Sequence, residues 1–96
     1  RNNYGATALL HAANGGHLEI VKWLLKNGSQ INEQDRSGSR ALHQAVLGGH
    51  FHVVAWLLED GGAEIDDRTT SGYTSLLLAA HGGNKKIVQY LVERKK

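Results

Sequence analysis

Residues 14–25 read NGGHLEIVKWLL, and residues 47–58 read LGGHFHVVAWLL. A diglycine, a histidine and an apolar segment holding a tryptophan recur at a spacing of 33. Taken singly, each stretch suggests a glycine-rich catalytic loop, a metal site or a binding surface. Taken together, they suggest one structural unit written twice, and the rest of the chain decides between these readings.

The glycines decide it. Gly5, Gly38 and Gly72 are spaced by 33 and 34, and Gly15-Gly16, Gly48-Gly49 and Gly82-Gly83 keep the same intervals. Gly28 and Gly61 are 33 apart, which leaves only Gly62 out of register, beside the point where the period lengthens by one. The apolar residues agree: ALLHAA (8–13), ALHQAV (41–46) and SLLLAA (75–80) align, as do IVKWLL (20–25), VVAWLL (53–58) and IVQYLV (87–92). Self-similarity at this period marks a stack of small repeats.

Each unit reads as two short helices. The first is predicted from about Thr7 to Asn14, with Leu9, Ala12 and Ala13 on one face at i, i+3 and i+4. Alanines there let a neighbouring helix approach closely. A diglycine ends the helix, because glycine enters the left-handed region without a Cβ penalty. The second helix is predicted from about His17 to Asn27, with Ile20, Val21, Leu24 and Leu25 as its apolar face and Gly28 as its stop. A polar turn such as EQDRSG (33–38) leads into the next unit. Two helices of two to three turns cannot bury their faces alone, whereas stacked neighbours can. The expected fold is therefore an all-α solenoid of stacked helix–turn–helix units. It forms one domain with repeats near 2–34, 35–68 and 69–96.

The stretches GATALLHAANGGHLEIVKWLLKNGSQIN (5–32), GSRALHQAVLGGHFHVVAWLLEDGGAEID (38–66) and GYTSLLLAAHGGNKKIVQYLV (72–92) resemble ankyrin repeats. The resemblance covers nearly the whole chain. It implies a non-catalytic solenoid that binds a protein through its turn tips and the concave face of the first helices. The variable positions aligned on that pattern are Asn3, Tyr4, Ala6 and Asn14, then Arg36, Ser37, Ser39 and Leu47, then Thr70, Ser71, Tyr73 and His81. In the family, a threonine and a histidine three residues later lock the turn by hydrogen bonds. No repeat here keeps both: Thr7 faces Leu10, Arg40 faces His43 and Thr74 faces Leu77. The extra residue near Gly61-Gly62 is expected in the loop after the second helix, where insertions cost little.

Other chemistry finds little support in the sequence. A net charge of +2 gives no argument for nucleic acid or an anionic membrane. No cysteine occurs, which removes disulfides and thiolate chemistry and suits an intracellular protein, cytoplasmic or nuclear. The serines stand in turns or at helix starts without a nucleophile context, and no phosphate-loop motif is present. His17 and His50 share a repeat position, and no third ligand converges on them, so they read as structural rather than metal-binding. No cofactor is implied. Trp23, Trp56 and Tyr90 occupy one position on the second helices. They form either a half-buried ladder sealing adjacent helices or a convex hot-spot surface. The chain begins with Arg1 and has no polar cap at either end, which suits part of a longer array and predicts weak self-association through uncapped ends. A spacer role within such an array and an engineered binding scaffold are the alternatives to a partner-binding module.

Overall fold

The computed structural model describes residues 3–95, with side chains from Ala8 to Arg94. Six helices follow in order: α1 (Asn3–Gly15), α2 (Leu18–Lys26), α3 (Ala41–Gly48), α4 (Phe51–Glu59), α5 (Ser75–Gly82) and α6 (Lys85–Lys95). No strand occurs among the described residues. The helices pair as α1–α2, α3–α4 and α5–α6, and the inner helices α1, α3 and α5 pack on one another in a row. Small residues permit this: Ala12, Ala13, Ala41, Ala45 and Ala79 are all buried. Leu9, Val21, Leu42, Val53, Val54, Leu57, Ile87 and Leu91 fill the space between inner and outer rows. The apolar face expected at i, i+3 and i+4 is the buried face.

Each joint is built the same way. In the middle repeat, Gly49 takes φ 76°, and Gly49 and His50 donate to the carbonyls of Val46 and Ala45. Gly16 and His17 donate to Ala13 and Ala12, and Gly83 and Asn84 donate to Ala80 and Ala79. Two bonds thus satisfy carbonyls that the helix end leaves open. The recurring histidine has a steric role as well. The His50 ring lies over Gly16 of the preceding repeat, so that a Cβ on Gly16 would come 2.5 Å from Nδ1. The GGH motif is a helix joint that also stacks on its neighbour.

Three details depart from the sequence reading or complete it. The first helix starts at Asn3 rather than near Thr7, so the backbone around Gly5 is helical and not a turn. Ala6 and Ala8 favour helix, and one glycine opposes it by only about 1 kcal/mol. The turn-locking pair survives as halves. Arg40 N–H donates to His43 Nδ1 at 3.0 Å, and His43 Nε2 lies 3.0 Å from the Asp67 carbonyl. Because Nδ1 accepts, the proton sits on Nε2, which donates across to the next loop. In the third repeat Thr74 Oγ1 accepts from the Leu77 N–H at 3.3 Å. The extra residue lies in the loop after α4, where Ala63 N–H reaches back to the Leu57 carbonyl.

Candidate binding surface

The turns between repeats form two short hairpins. Asp35 N–H donates to the Ser39 carbonyl at 3.1 Å, and Thr69 N–H donates to the Tyr73 carbonyl at 2.9 Å. The first turn is organised by one carboxylate oxygen. Asp35 Oδ1 accepts from Ser37 N–H at 2.9 Å, Ser37 Oγ–H at 2.7 Å and Ser39 N–H at 3.0 Å. Partial burial raises the Asp35 pKa, but the Ser37 and Ser39 hydrogen bonds outweigh it and hold the carboxyl below its ordinary value. Thr69 Oγ1 does the corresponding work in the second turn, accepting from Tyr73 N–H at 3.2 Å. The two hairpins are tied together by Thr70 N–H, which donates to the Ser37 carbonyl at 2.8 Å. Gly38 makes that approach possible: its φ is 78°, and a Cβ there would stand 2.6 Å from the Thr70 nitrogen.

This arrangement leaves Arg36, Ser37, Thr70, Ser71 and Tyr73 exposed on the turns, with Tyr73 at 49%. Asn14, Leu47 and His81 are exposed at the ends of the inner helices. Ser39 differs from the expectation of a contact residue. It is buried, and its N–H and hydroxyl serve the turn itself. The side chains of Asn3, Tyr4 and Ala6 lie outside the described residues.

A cleft of about 350 Å³ opens on the concave side between the first two repeats. Leu10, His11, Asn14, Asp35 and Gln44 line it, and Asn14 Nδ2 donates to Gln44 Oε1 at 3.1 Å across the two repeats. Of these five residues, sequence reasoning had singled out Asn14 alone. The signal for two of the others was available in the register, since His11 and Gln44 hold one repeat position and neither matches the small or apolar residues around it.

The outer row resolves the aromatic position unevenly. Trp56 is half-buried with Lys22 Nζ of the preceding repeat 5.8 Å from its ring centre. Tyr90 is half-buried too, edge-on to Phe51 at 5.2 Å, with its hydroxyl donating to Glu59 Oε2 at 2.7 Å. Burial, together with the bond to the negative Glu59, pushes the Tyr90 phenol up. Both rings therefore lean toward the preceding repeat. Trp23 is 62% exposed. Among the described residues no group of His, Asp or Glu is arranged to hold a metal ion, and no helix is long and apolar enough to cross a membrane.

The family model for ankyrin repeats in many copies matches residues 9–58 and again 49–92. The chain belongs to the ankyrin-repeat family. A mouse relative, protein fem-1 homolog A-like, is 33% identical over 102 residues, covering 96% of this chain and 14% of the relative's length. The chain therefore spans about a seventh of that relative. Ankyrin repeats are in general protein-interaction modules without catalysis of their own. The joints, the half-kept turn lock and the paired hairpins described above are this ankyrin chain's versions of the family's elements.

Proposed function

We propose that this ankyrin segment is a non-catalytic module that binds a protein partner through its hairpin tips and the concave face of α1, α3 and α5. The observation that carries this reading is the hydrogen bond from Thr70 N–H to the Ser37 carbonyl. It couples two exposed tips into one surface, so that Arg36, Ser37, Thr70, Ser71 and Tyr73 are held in place before a partner arrives. Preorganisation lowers the ordering cost of association. Arg36, Leu47 and Tyr73 supply the anchors: a guanidinium fork, an exposed apolar side chain and an aromatic ring. An intracellular setting, cytoplasmic or nuclear, belongs to the same reading and rests on the cysteine-free sequence.

A second reading rests on a different observation. Ile20 is 51% exposed, whereas its counterparts Val53 and Ile87 are 1% and 0% exposed. The end face carrying Ile20 and Trp23 suits a further repeat or weak self-association, which would make the segment a spacer in a longer array. Cross-linked capture of partners discriminates the two. With Arg36→Ala/Leu47→Ala/Tyr73→Ala, the module reading expects captured protein to fall on the order of tenfold or more. Trp23→Ala should leave capture unchanged. Undiminished capture by the triple variant contradicts the module reading.

A further inference from the structure

The concave cleft between the first two repeats has an uneven set of polar groups. Asp35 accepts all three of its side-chain hydrogen bonds at Oδ1, which leaves Oδ2 as an acceptor. Asn14 spends its Nδ2 on Gln44 Oε1, which leaves Asn14 Oδ1 as a second acceptor. Asp35 is in neither of the ion pairs of the described residues, Glu19–Lys22 and Arg40–Asp67. Among the described residues Asp35 thus has no paired cation, and the cleft holds two open acceptors, Asp35 Oδ2 and Asn14 Oδ1, beside the amide donors of Gln44. Leu10, 7% exposed, gives it an apolar patch, and His11 and Gln44 complete the lining. At about 350 Å³ the cleft stands at the small end of the range for ligand pockets, a size that suits a side chain better than a larger organic ligand.

We propose that this cleft is a subsite for a basic side chain of the protein partner, with arginine preferred over lysine. The aliphatic stem lies along Leu10, and the guanidinium donates to Asp35 Oδ2 and Asn14 Oδ1. Arginine carries five donors in a planar fork and no acceptor, which matches two separate acceptors better than a single ammonium does. Its plane also stacks on rings, and His11 lines the same cleft. The depressed Asp35 carboxyl keeps the negative charge in place at neutral pH. The inference rests on the concave-face reading above and adds the chemistry of one contact. Arg36, the residue after Asp35, is exposed and belongs to the tip surface and not to the cleft lining.

The test is a titration of the ¹⁵N-labelled protein, followed by amide shifts, with N-acetyl-arginine amide, N-acetyl-lysine amide and the uncharged isostere N-acetyl-citrulline amide. The proposal expects saturable shifts at Asn14, Asp35 and Gln44 and in the Asn14 and Gln44 side-chain amides. Affinity should fall from arginine to lysine to citrulline, with citrulline weaker on the order of tenfold, the effect of one charge-assisted hydrogen bond. Asp35→Asn should bring arginine down to the citrulline level. Because that change also touches the turn, Gln44→Leu serves as a second variant: it leaves Asp35 and the turn bonds intact and releases Asn14, and it should weaken arginine while the shifts of the hairpin amides stay in place. Equal response to arginine and citrulline overturns the proposal, as does an absence of saturable shifts at these residues. Shifts confined to the loop after α4, which carries Asp60, Glu64, Asp66 and Asp67, overturn it too. Loss of the subsite leaves the dependence of partner capture on Arg36, Leu47 and Tyr73 standing, so the two failures are separable.

Discussion

Val53 in α4 is 1% exposed, and Ile20, its counterpart one repeat earlier in α2, is 51% exposed. The same contrast holds along both helices. Leu57 is fully buried while Leu24 is half-buried, and Trp56 sits beside Lys22 while Trp23 is open. Helix α2 has the same apolar pattern as α4 and ends with the same kind of loop. What differs is the neighbour on the preceding side. In a solenoid, half of each helix's apolar face belongs to the interface with another repeat, so burial is a property of position in the stack and not of the repeat's letters.

The sharpest way to break this comparison is by truncating side chains at matched positions. Leu57→Ala should cost about 2–5 kcal/mol in urea unfolding, through lost burial and a cavity. Ile20→Ala should stay within about 0.5 kcal/mol. Equal costs would mean that the first outer helix is buried in solution. Next in size is the lock between repeats. His43→Leu leaves the Arg40 N–H and the Asp67 carbonyl without partners and should cost about 2 kcal/mol or more. The reverse change at the matched position, Leu77→His, should be worth less than about 0.5 kcal/mol, because Leu77 is 49% exposed and a donor placed there stays solvated.

How much of this was legible beforehand follows from the same contrast. The helices, the joints and the place of the extra residue were readable, because each depends on local chemistry repeated three times: apolar spacing, a left-handed glycine, a loop. The helical start at Asn3 was not, since the expected turn at Gly5 was inferred from the other two repeats, where paired hairpins hold it. Ser39 was placed on the surface by alignment, yet Asp35 and Ser37 draw it into the turn. The cleft was missed because it belongs to no single repeat. Asp35 reaches it from the loop, Gln44 from α3 and Asn14 from α1, and no one motif holds them together. The aromatic position was read as either a sealing ladder or a convex hot-spot surface; Trp56 and Tyr90 lean on the preceding repeat, while Trp23 is exposed.

Smaller effects refine the picture at the joints. Gly16 and Gly83 both take positive φ, at 79° and 74°, so alanine at either meets the left-handed cost of about 1–2 kcal/mol. Only Gly16 has the His50 ring above it, while nothing lies within 4 Å of a Cβ on Gly83. Thermal unfolding should therefore show Gly16→Ala to be worse than Gly83→Ala by about 1 kcal/mol. Asp35 should give the smallest effect. Its carboxyl titrates below the ordinary 3.8, so its hold on the turn is complete above that pH and is lost as pH falls through the lowered value. The Ser37 and Ser39 amide shifts should report that transition below 3.8, and a midpoint above it would contradict the three-bond turn.

The central claim is that this ankyrin segment meets its partner with the tips and concave face rather than with the outer helices. Amide hydrogen exchange with the captured partner bound tests it most directly. The account predicts added protection at residues 36–39 and 70–73 and along 44–47, with α2 and α4 unchanged. Protection confined to residues 19–26 and 52–59 would contradict it.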